Sequence, residues 1–417
     1  MQTPGVVATD ETGSADEALS FGHGRLTDFS DATQTSNPIG TFVSLYAGAG
    51  GLDVGFAMAG FAPVWMNEYD PHAFATHEAS FRKLAAEIPH LNGHSYRSYA
   101  GDLLKIPKRE LPRAGSADLV IGGPPCQGFS VAGKMNPTDP RSEHVFHFLD
   151  VVEQVRPRAF VLENVKALYA NSRWSPIREA LTKRAKTLGY EVTMQLAHAA
   201  DFGVPQARER MFLVGVRDAS APFDLMPTTL GAGQRPTVRQ AFSLLPVYGT
   251  PGNDSFCVAK ISTARTPVLR RSPWAGMLFN GAGRPLNLDA PSMTLPASMG
   301  GNRTPIVDQD ALEDPSVESW VVRYHQALWD GQIQPGEWEV PKSLRRLTVE
   351  EAAALQTFPA DMAWKGPQSA RFRQIGNAVP PRLAFNVARS VAHAIGMKIA
   401  ISGEHYDRTK EGPHERA

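Results

Sequence analysis

Short apolar runs alternate with longer amphipathic stretches over the first half of the chain. The apolar runs predict β-strands, in the order TFVSLY, PVWMNE, ADLVIGG, RAFVLEN, YEVTMQL and MFLVGV. Apolar residues spaced as on one face of a helix predict helices over 72–87, 144–155 and 176–188. Strands that alternate with helices are typical of an α/β fold, so we expect a doubly wound, mostly parallel sheet.

Local signals mark the ends of two helices. Ser175 predicts the cap of the helix over 176–188, and Gly189 predicts its end. Further along the chain, Thr348 and Glu351 have the spacing of a capping box, in which each side chain bonds the backbone N–H of the other residue. The apolar segment AAALQTF follows, so we expect another helix to begin there.

The alternation stops at about residue 218 and resumes near residue 345. The stretch between is crowded with Pro, Gly, Asn and Arg, as in RRSPWAGMLFNGAGRP, which predicts a loop-rich inserted domain; helical patterns then return, including one over 382–397. Both chain ends are polar and lack apolar periodicity, so we expect them to be disordered. The expected division is an acidic tail over 1–38, a core in two parts over 39–218 and 345–400, the insert over 219–344 and a second tail over 401–417.

Composition limits the class of protein. Of the 417 residues, 42% are hydrophobic, enough for a core in each of two regions. No stretch approaches the roughly 20 apolar residues that span a bilayer, and the first residues lack the pattern of a signal peptide, so we expect a cytoplasmic protein. Cys126 and Cys257 are the only cysteines, which excludes a disulfide framework, and no repeated Cys or His spacing indicates a metal site.

A net charge of zero conceals an uneven distribution. Acidic residues dominate before residue 38, where they face a single arginine. A basic segment over 231–286 has Asp254 as its one acidic residue, against Arg235, Arg239, Lys260, Arg265, Arg270, Arg271 and Arg284. Such a segment is typical of a surface that binds a polyanion such as nucleic acid.

A glycine-rich turn follows the first predicted strand. In SLYAGAGGLDVGF the strand ends at Tyr46, and the glycines after it would let backbone N–H groups approach a ligand closely. Glu68 ends the next strand about 20 residues on, where an acidic side chain in a dinucleotide-type fold binds ribose hydroxyls. Because the G-x-G-x-x-G spacing is not met, this pattern alone is equally consistent with a tight turn beside a surface glutamate.

The motif GGPPCQGFS follows the predicted strand ADLVIGG. Cys126 is therefore expected at the carboxyl edge of the sheet, where the active sites of open α/β sheets lie. Pro124 and Pro125 restrict the backbone before it, and glycines leave the segment after it able to move. This setting favours a nucleophile over a cysteine that fills a gap in the core, an interpretation that fits Cys257.

Two more strands have polar side chains at the same expected edge. RAFVLENV ends with Glu163 and Asn164, and the segment before MFLVGV contains Gln206, Arg208 and Arg210. Glu163 is expected to point into the cleft, although an exposed strand end also accommodates a glutamate. Arg208 and Arg210 would project to one side of an extended chain, where they suit a phosphate or a carboxylate.

Seven segments, in order, resemble the sequence blocks of the cytosine-C5 DNA methyltransferases, a family that includes bacterial type II restriction–modification enzymes: YAGAGG, GDL, GGPPCQGFS, ENV, QARER, RRLTVEEAAALQTFP and QIGNAVPP. The resemblance covers nearly all of 41–390 except the insert. Tyr46 departs from the family, which commonly has phenylalanine there. The resemblance implies the S-adenosylmethionine-dependent methyltransferase fold and methyl transfer from S-adenosylmethionine to carbon 5 of cytosine, with S-adenosylhomocysteine as product.

The same resemblance implies roles for individual residues. Cys126 adds to carbon 6 of cytosine, Glu163 hydrogen-bonds ring nitrogen 3 and the exocyclic amine, and Arg208 holds the cytosine oxygen. In that role Glu163 must be protonated or share a proton, so burial should raise its pKa. No metal is required. The residues expected around the cofactor are Tyr46, Gly48, Gly50, Gly51, Leu52, Glu68, Asp102, Pro124, Asn377 and Val379.

A cytosine inside duplex DNA is unreachable, so the resemblance also implies that the base is flipped out. The insert then becomes a target-recognition domain that reads base edges in the major groove, and its Thr294-Leu295 pair resembles a signature of such domains. A solvated face is the alternative interpretation of its cations. The residues expected to contact DNA are Gln127, Ser130, Lys134, Arg141, Arg210, Arg270, Arg271, Arg284, Thr294 and Arg303.

Two alternative functions stay open at this point. One is a tRNA cytosine-C5 methyltransferase of the same family, although such enzymes usually have a small middle insert. The other is a catalytically silent DNA-binding regulator, against which the complete set of Cys126, Glu163 and Arg208 argues. A cysteine protease would need a positioned histidine, which no histidine pattern indicates. We expect a monomer, which a separately acting restriction endonuclease could accompany.

Overall fold

The structure is a computed structural model that describes residues 35–125, 143–225 and 235–399. The predicted tails over 1–38 and 401–417 lie outside the described residues, except for 35–38. Within the described ranges, every helix is too short or too polar to span a lipid bilayer.

The strands alternate with helices as the apolar pattern predicts. The described strands are β1 (Gly40–Leu45), β2 (Phe61–Glu68), β3 (Arg97–Ala100), β4 (Leu119–Gly122), β5 (Ala159–Val165), β6 (Glu191–His198), β7 (Gln206–Ala207), β8 (Glu209–Val216), β9 (Thr263–Val268), β10 (Met277–Phe279), β11 (Ser292–Met293), β12 (Ile306–Asp308) and β13 (Leu344–Arg346). The described helices are α1 (Gly51–Met58), α2 (Pro71–Glu87), α3 (His144–Val155), α4 (Lys166–Ala170), α5 (Ser175–Thr187), α6 (Val238–Ser243), α7 (Gln309–Glu313), α8 (Trp320–Trp329), α9 (Val349–Leu355), α10 (Gln368–Asn377) and α11 (Pro381–Ala394).

The central sheet of the described residues has the strand order β3-β2-β1-β4-β5-β8-β6. The first five strands of this order are parallel to one another, and β8 runs antiparallel between β5 and β6. The predicted α/β fold with a doubly wound, mostly parallel sheet is confirmed. Because the strand order reverses between β1 and β4, their carboxyl ends open a crevice of the kind in which such sheets bind ligands.

Both faces of the sheet are covered, which explains the continuous apolar runs of its central strands. Phe42 and Ile121 face a core shared with α1 and α11, whereas Val43 and Val120 face a second core shared with α3 and α5. The first core is tightly packed: a Cβ atom on Gly55 of α1 would lie 2.4 Å from the Cβ atom of Ala384 on α11. This packing places the last of the described helices against the first of them.

Two local features differ from the sequence-based expectations. The pattern missed β3, an edge strand of mostly exposed residues, because a strand without a buried face has no apolar alternation. The prediction that Ser175 caps the helix was wrong: helix α5 begins at Ser175, whose hydroxyl donates to the carbonyl of Ser172 at 2.5 Å. The preceding 3-10 turn, Ser172–Trp174, therefore takes the place of a side-chain cap.

The stretch from 219 to 344 contributes no described strand to the central sheet. It contains the β9–β10 hairpin and helix α8, which share a small apolar cluster centred on Phe279, Val321 and Tyr324. Helix α8 was not predicted from the sequence, because it lies among Pro- and Gly-rich loops. Other apolar residues of this stretch, such as Leu295 and Met299, pack into the core that covers one face of the sheet. The insert boundaries themselves stay a prediction.

A buried ion pair at the start of the returning core contacts the insert through Tyr248. Arg345 donates to both carboxylate oxygens of Glu351, at 2.8 and 2.6 Å, and its guanidinium lies 3.8 Å from the ring centroid of Tyr248. Glu351 also completes the capping box expected at α9, since it accepts from the backbone N–H of Thr348 and donates its own N–H to the Thr348 hydroxyl, both at 3.0 Å. The side chain of Glu351 therefore takes part in both the ion pair with Arg345 and the capping box with Thr348.

Replacing Arg345 with methionine is expected to lower the free energy of unfolding by about 3–5 kcal/mol, because it leaves the carboxylate of Glu351 buried without its partner. Urea denaturation followed by circular dichroism measures the change. The control is Arg97→Met, which removes an exposed pair with Glu110 and should cost no more than about 1 kcal/mol. Equal effects of the two substitutions would contradict the structural role of the buried pair.

Candidate active site and cofactor cleft

The glycine-rich turn between β1 and α1 adopts a left-handed backbone. Gly48 and Gly50 have φ angles of 59° and 90°, and Gly50 is the N-cap residue of α1. A Cβ atom on Gly51 would lie 2.2 Å from the carbonyl oxygen of Val379, so only glycine permits this contact. The predicted cofactor residues Gly51 and Val379, more than 300 residues apart, therefore lie in direct contact.

Glu68, at the end of β2, lies beside the same turn. Its Oε2 atom accepts a hydrogen bond from the backbone N–H of Gly48 at 2.8 Å, and its Oε1 atom accepts one from that of Asp70 at 2.7 Å. Burial raises the pKa of the Glu68 carboxyl, and the two backbone hydrogen bonds oppose that rise. An ideal Cβ atom on Gly48 would have no described neighbour within 4 Å, so the turn leaves open space at Gly48.

Two other predicted cofactor residues lie on the carboxyl side of the sheet. Asp102 follows β3, and its Oδ1 atom accepts from the backbone N–H of Leu104 at 3.1 Å. Pro124 follows β4, and its carbonyl accepts from the side-chain amide of Asn164 at 3.2 Å. The side chain of Asn164 therefore holds the segment that leads into Cys126.

Glu163 is buried at the end of β5. A Cβ atom on Gly123 would lie 2.9 Å from its Oε2 atom, so this carboxyl faces the backbone that precedes Cys126. The Nε atom of Arg210 lies 2.8 Å from its Oε1 atom. Burial raises the pKa of Glu163, and the positive charges of Arg210 and Arg208 oppose that rise. The direction of this shift agrees with the protonated carboxyl that the sequence analysis requires.

Arg208 is fully buried and joins three distant segments. Its guanidinium donates to the carbonyls of Gly376 at 2.9 Å and Asn377 at 3.4 Å, and its charge acts on Glu163. The carboxyl ends of β4 and β5, the QARER segment and the end of α10 therefore converge at one place. Arg210 is part of this cluster through Glu163, whereas the sequence analysis assigned it to DNA.

Five predicted residues lie outside the described ranges, namely Cys126, Gln127, Ser130, Lys134 and Arg141. The structure describes the residues that flank this segment in sequence: Pro125 before it, and Glu143 and the start of α3 after it.

Residues 40–393 match the family model described as C-5 cytosine-specific DNA methylase.

The chain belongs to the C-5 cytosine-specific DNA methylases.

Curated relatives agree with this membership. The chain is 32% identical over 359 residues to the type II methyltransferase M1.HphI of Haemophilus parahaemolyticus, covering 84% of this chain and 86% of that protein. It is 30% identical over 398 residues to M.XorII of Xanthomonas oryzae pv. oryzae, covering 87% and 86%. This methylase therefore transfers a methyl group from S-adenosylmethionine to carbon 5 of cytosine in DNA.

Solved structures share the fold. The S. pombe Dnmt2 methyltransferase aligns with a TM-score of 0.56 at 16% identity, covering 84% of this chain and 97% of that one. The Entamoeba histolytica methyltransferase EhMeth aligns with a TM-score of 0.55 at 13% identity, covering 85% and 98%. At these identities the likeness concerns the backbone architecture.

The insert of this methylase presents the predicted cations to solvent. Arg270, Arg271, Arg284 and Arg303 are all exposed. Thr294 is exposed as well, and its hydroxyl donates to the carbonyl of Ala207 at 2.8 Å. The sequence analysis expected Thr294 to contact DNA, and in the described structure its hydroxyl is engaged within the protein.

Gln206 is a connecting residue to which the sequence analysis gave no role of its own. Its strand β7 pairs with β11 of the insert, and its buried side chain accepts from the backbone N–H of Leu295 at 3.2 Å and donates to the carbonyl of Leu355 at 3.3 Å. The one available signal was its position two residues before Arg208. Through Gln206, the insert and the catalytic segment have a fixed relative position.

Proposed function

We propose that this methylase acts by covalent catalysis on a cytosine flipped out of a specific double-stranded DNA sequence, with Cys126 as the nucleophile. The observation that carries the proposal is the position of Glu163, a buried carboxyl with a raised pKa that faces the backbone just before Cys126. A proton donor beside a thiolate is the pair of groups that addition to cytosine needs.

The proposed chemistry proceeds as follows. The Cys126 thiolate bonds to carbon 6, and the displaced ring electrons take the proton of Glu163 at nitrogen 3. Carbon 5, now an enamine carbon, is the position that receives the methyl group. Loss of the carbon 5 proton to a base then returns electrons to the ring, the bond to Cys126 breaks, and Glu163 recovers its proton. Splitting the reaction in this way replaces one high barrier with lower ones.

Arg208 and Arg210 are proposed to act on the charge that develops during this addition. Arg208 is assigned to the cytosine oxygen, and its hydrogen bonds to the carbonyls of Gly376 and Asn377 support a fixed orientation. Both cations also favour a thiolate at Cys126. Arg210 neutralises the Glu163 carboxylate that remains once Glu163 has given its proton to nitrogen 3 of cytosine.

S-adenosylmethionine supplies the methyl group when bound, and the described residues fit it. A left-handed glycine turn that has open space at Gly48 and donates a hydrogen bond to the Glu68 carboxylate suits the ribose of a nucleoside. We assign Glu68 to the ribose hydroxyls and Asp102 to the adenine amine. The remaining proposed contacts are Tyr46, Gly48, Gly50, Gly51, Leu52, Pro124, Asn377 and Val379.

Replacing Glu68 with alanine is expected to weaken S-adenosylmethionine binding by roughly 1.5–3 kcal/mol, the range for hydrogen bonds to a charged group. Isothermal titration calorimetry measures the affinity. The matched control is Glu87→Ala, because Glu87 is exposed at the end of α2 and should leave binding unchanged. Unchanged affinity in Glu68→Ala would refute the assignment.

Sequence selection is proposed to lie in the insert over 219–344. Alanine at Arg270, Arg271, Arg284 or Arg303 is expected to relax recognition at one base pair, because an arginine contact to guanine contributes roughly 1–3 kcal/mol of discrimination. A panel of single-mismatch duplexes measures it. The control is Arg323→Ala, an exposed cation on α8 of the same insert. A uniform loss across all duplexes would indicate phosphate contacts instead.

Four residues after Cys126 are proposed to contact the flipped base and the adjoining duplex: Gln127, Ser130, Lys134 and Arg141. Thr294 of the insert is proposed to contact the DNA as well. Because the named relatives are type II methyltransferases, we further propose that a separately acting restriction endonuclease accompanies the protein. We also propose that the methylase itself works as a cytoplasmic monomer. Bisulfite sequencing of DNA from cells that express the protein tests the function, since it reports product, strand and sequence together. Modified cytosine in tRNA with none in DNA would overturn the proposal.

A further inference from the structure

The Tyr46 hydroxyl forms a contact that phenylalanine, common in the family at this position, could not make. Its oxygen lies 3.1 Å from Nδ1 of His144 and 3.5 Å from the backbone carbonyl of the same residue. The two rings meet edge to face, with centroids 5.4 Å apart and an interplanar angle of 84°. His144 is the first residue of α3, so the contact joins the end of β1 to the start of that helix.

The surroundings of the pair set the protonation state of each side chain. Burial, followed by the negative charges of Asp102 and Asp150, raises the pKa of Tyr46, so the hydroxyl keeps its proton. Burial is also the main cause that lowers the pKa of His144; His147 adds to this effect, and Asp102 and Glu143 oppose it.

A histidine with a lowered pKa is neutral at pH 7, and a neutral imidazole can either accept a hydrogen bond at Nδ1 or donate one from it. The Tyr46 hydroxyl and Nδ1 of His144 therefore share one hydrogen bond, whose direction follows the tautomer of His144.

The backbone of Tyr46 has an unusual conformation, which neighbouring contacts such as this hydrogen bond help to hold. Its φ angle of 55° lies in the left-handed region, which a residue with a side chain rarely adopts unless neighbouring contacts impose it. The side chain is half-buried, and its ring packs beside the core that contains α3. Its neighbours in sequence are Leu45 of β1 and the glycine turn, so the orientation of the ring is set directly beside the proposed cofactor site.

We propose that His144 is a positioning residue for the cofactor: its hydrogen bond with the Tyr46 hydroxyl holds the tyrosine ring at the orientation in which the ring contacts S-adenosylmethionine. This inference rests on the proposed role of Tyr46 in cofactor binding. His144 acts through Tyr46 and does not itself touch the substrate. The pair therefore affects the affinity for the cofactor and leaves the chemical step unchanged.

A double-mutant cycle on the full chain tests the inference, with S-adenosylmethionine as the titrant. Tyr46→Phe and His144→Phe are each expected to raise the Kd about 2- to 12-fold, the effect of one net hydrogen bond. The double variant should bind no more weakly than either single one, because both remove the same bond. In steady-state assays the KM for the cofactor should rise in step with the Kd while kcat stays constant.

The conservative variant His144→Asn provides a rescue. The asparagine side-chain amide can take the place of Nδ1, with Oδ1 as the acceptor or Nδ2 as the donor, so the affinity should return close to the wild-type value. Thermal melting of each variant checks that the fold is retained. Additive effects of Tyr46→Phe and His144→Phe, or an unchanged Kd in Tyr46→Phe, would overturn the inference.

Glu68→Ala separates this inference from the cofactor site on which it rests. If Glu68→Ala weakens binding and the cycle shows no coupling, the positioning role alone is wrong. If Glu68→Ala and Tyr46→Ala both leave the Kd unchanged, the proposed cofactor site fails, and the positioning role fails with it.

Discussion

Replacing Cys126 with serine is expected to abolish detectable methyl transfer while leaving binding of S-adenosylmethionine and duplex DNA intact. Serine is nearly the same size, but its hydroxyl does not ionise near neutral pH, so no nucleophile is available to attack carbon 6 of cytosine. Transfer of a tritiated methyl group to duplex DNA measures the loss. The matched control is Cys257→Ser, because Cys257 is half-buried in the insert with its Sγ atom 3.4 Å from the hydroxyl of Thr304.

Duplex DNA with 5-fluorocytosine at the target position adds a direct test of the covalent bond. Fluorine at carbon 5 cannot leave as a proton does, so the bond between Cys126 and carbon 6 should persist after methylation. A denaturing gel should then show a DNA-linked band for the wild type and for Cys257→Ser, and none for Cys126→Ser. Near-normal turnover in Cys126→Ser, or no trapped band with the wild type, would eliminate the covalent mechanism.

Replacing Glu163 with glutamine is expected to lower kcat by roughly 10²- to 10⁴-fold, the usual contribution of a positioned general acid. The amide still donates hydrogen bonds but cannot transfer a proton to nitrogen 3 of cytosine. Single-turnover kinetics with saturating DNA and cofactor measures the chemical step. The matched control is Glu209→Gln, since Glu209 pairs with Lys166 at the protein surface, 2.8 Å away, and should retain its rate.

The pH dependence of the wild type follows from the same carboxyl. Because burial raises the pKa of Glu163, its protonated form persists to higher pH than in an ordinary glutamate, and the rate should fall as the pH rises through that value. The positive charge of Arg210 opposes the rise in the pKa of Glu163. Arg210→Gln should therefore move the fall in rate, which is the alkaline limb of the pH–rate profile, to higher pH. A limb that moves to lower pH, or that persists unchanged in Glu163→Gln, would exclude Glu163 as the acid.

The architecture of the core could be predicted from residue patterns because each pattern reflects a local cause. The central strands are buried on both faces, which requires nearly continuous apolar residues, and helices need one apolar stripe. The capping box at Thr348 and Glu351 likewise depends on neighbours only three residues apart. Edge strand β3 has neither feature, so its pairing with β2 is visible only in the folded sheet.

The chemical motifs were also readable, because the groups that react must be particular residue types in short segments. Cys126 and Glu163 follow apolar strands, and the order of the blocks resembles one family. What the segments could not reveal is which of them meet. The contact of Gly51 with Val379 and the bond from Arg208 to Gly376 each join residues separated by more than 150 positions.

The tertiary structure alone decided the partner of each polar group. Arg210 faces Glu163, Thr294 bonds Ala207, and Tyr46 reaches His144, and no sequence pattern linked the members of these three pairs. A motif records which side chain is present, whereas hydrogen bonds and pKa shifts depend on distances of a few ångströms and on burial. Those quantities exist only after the strands and loops have packed together.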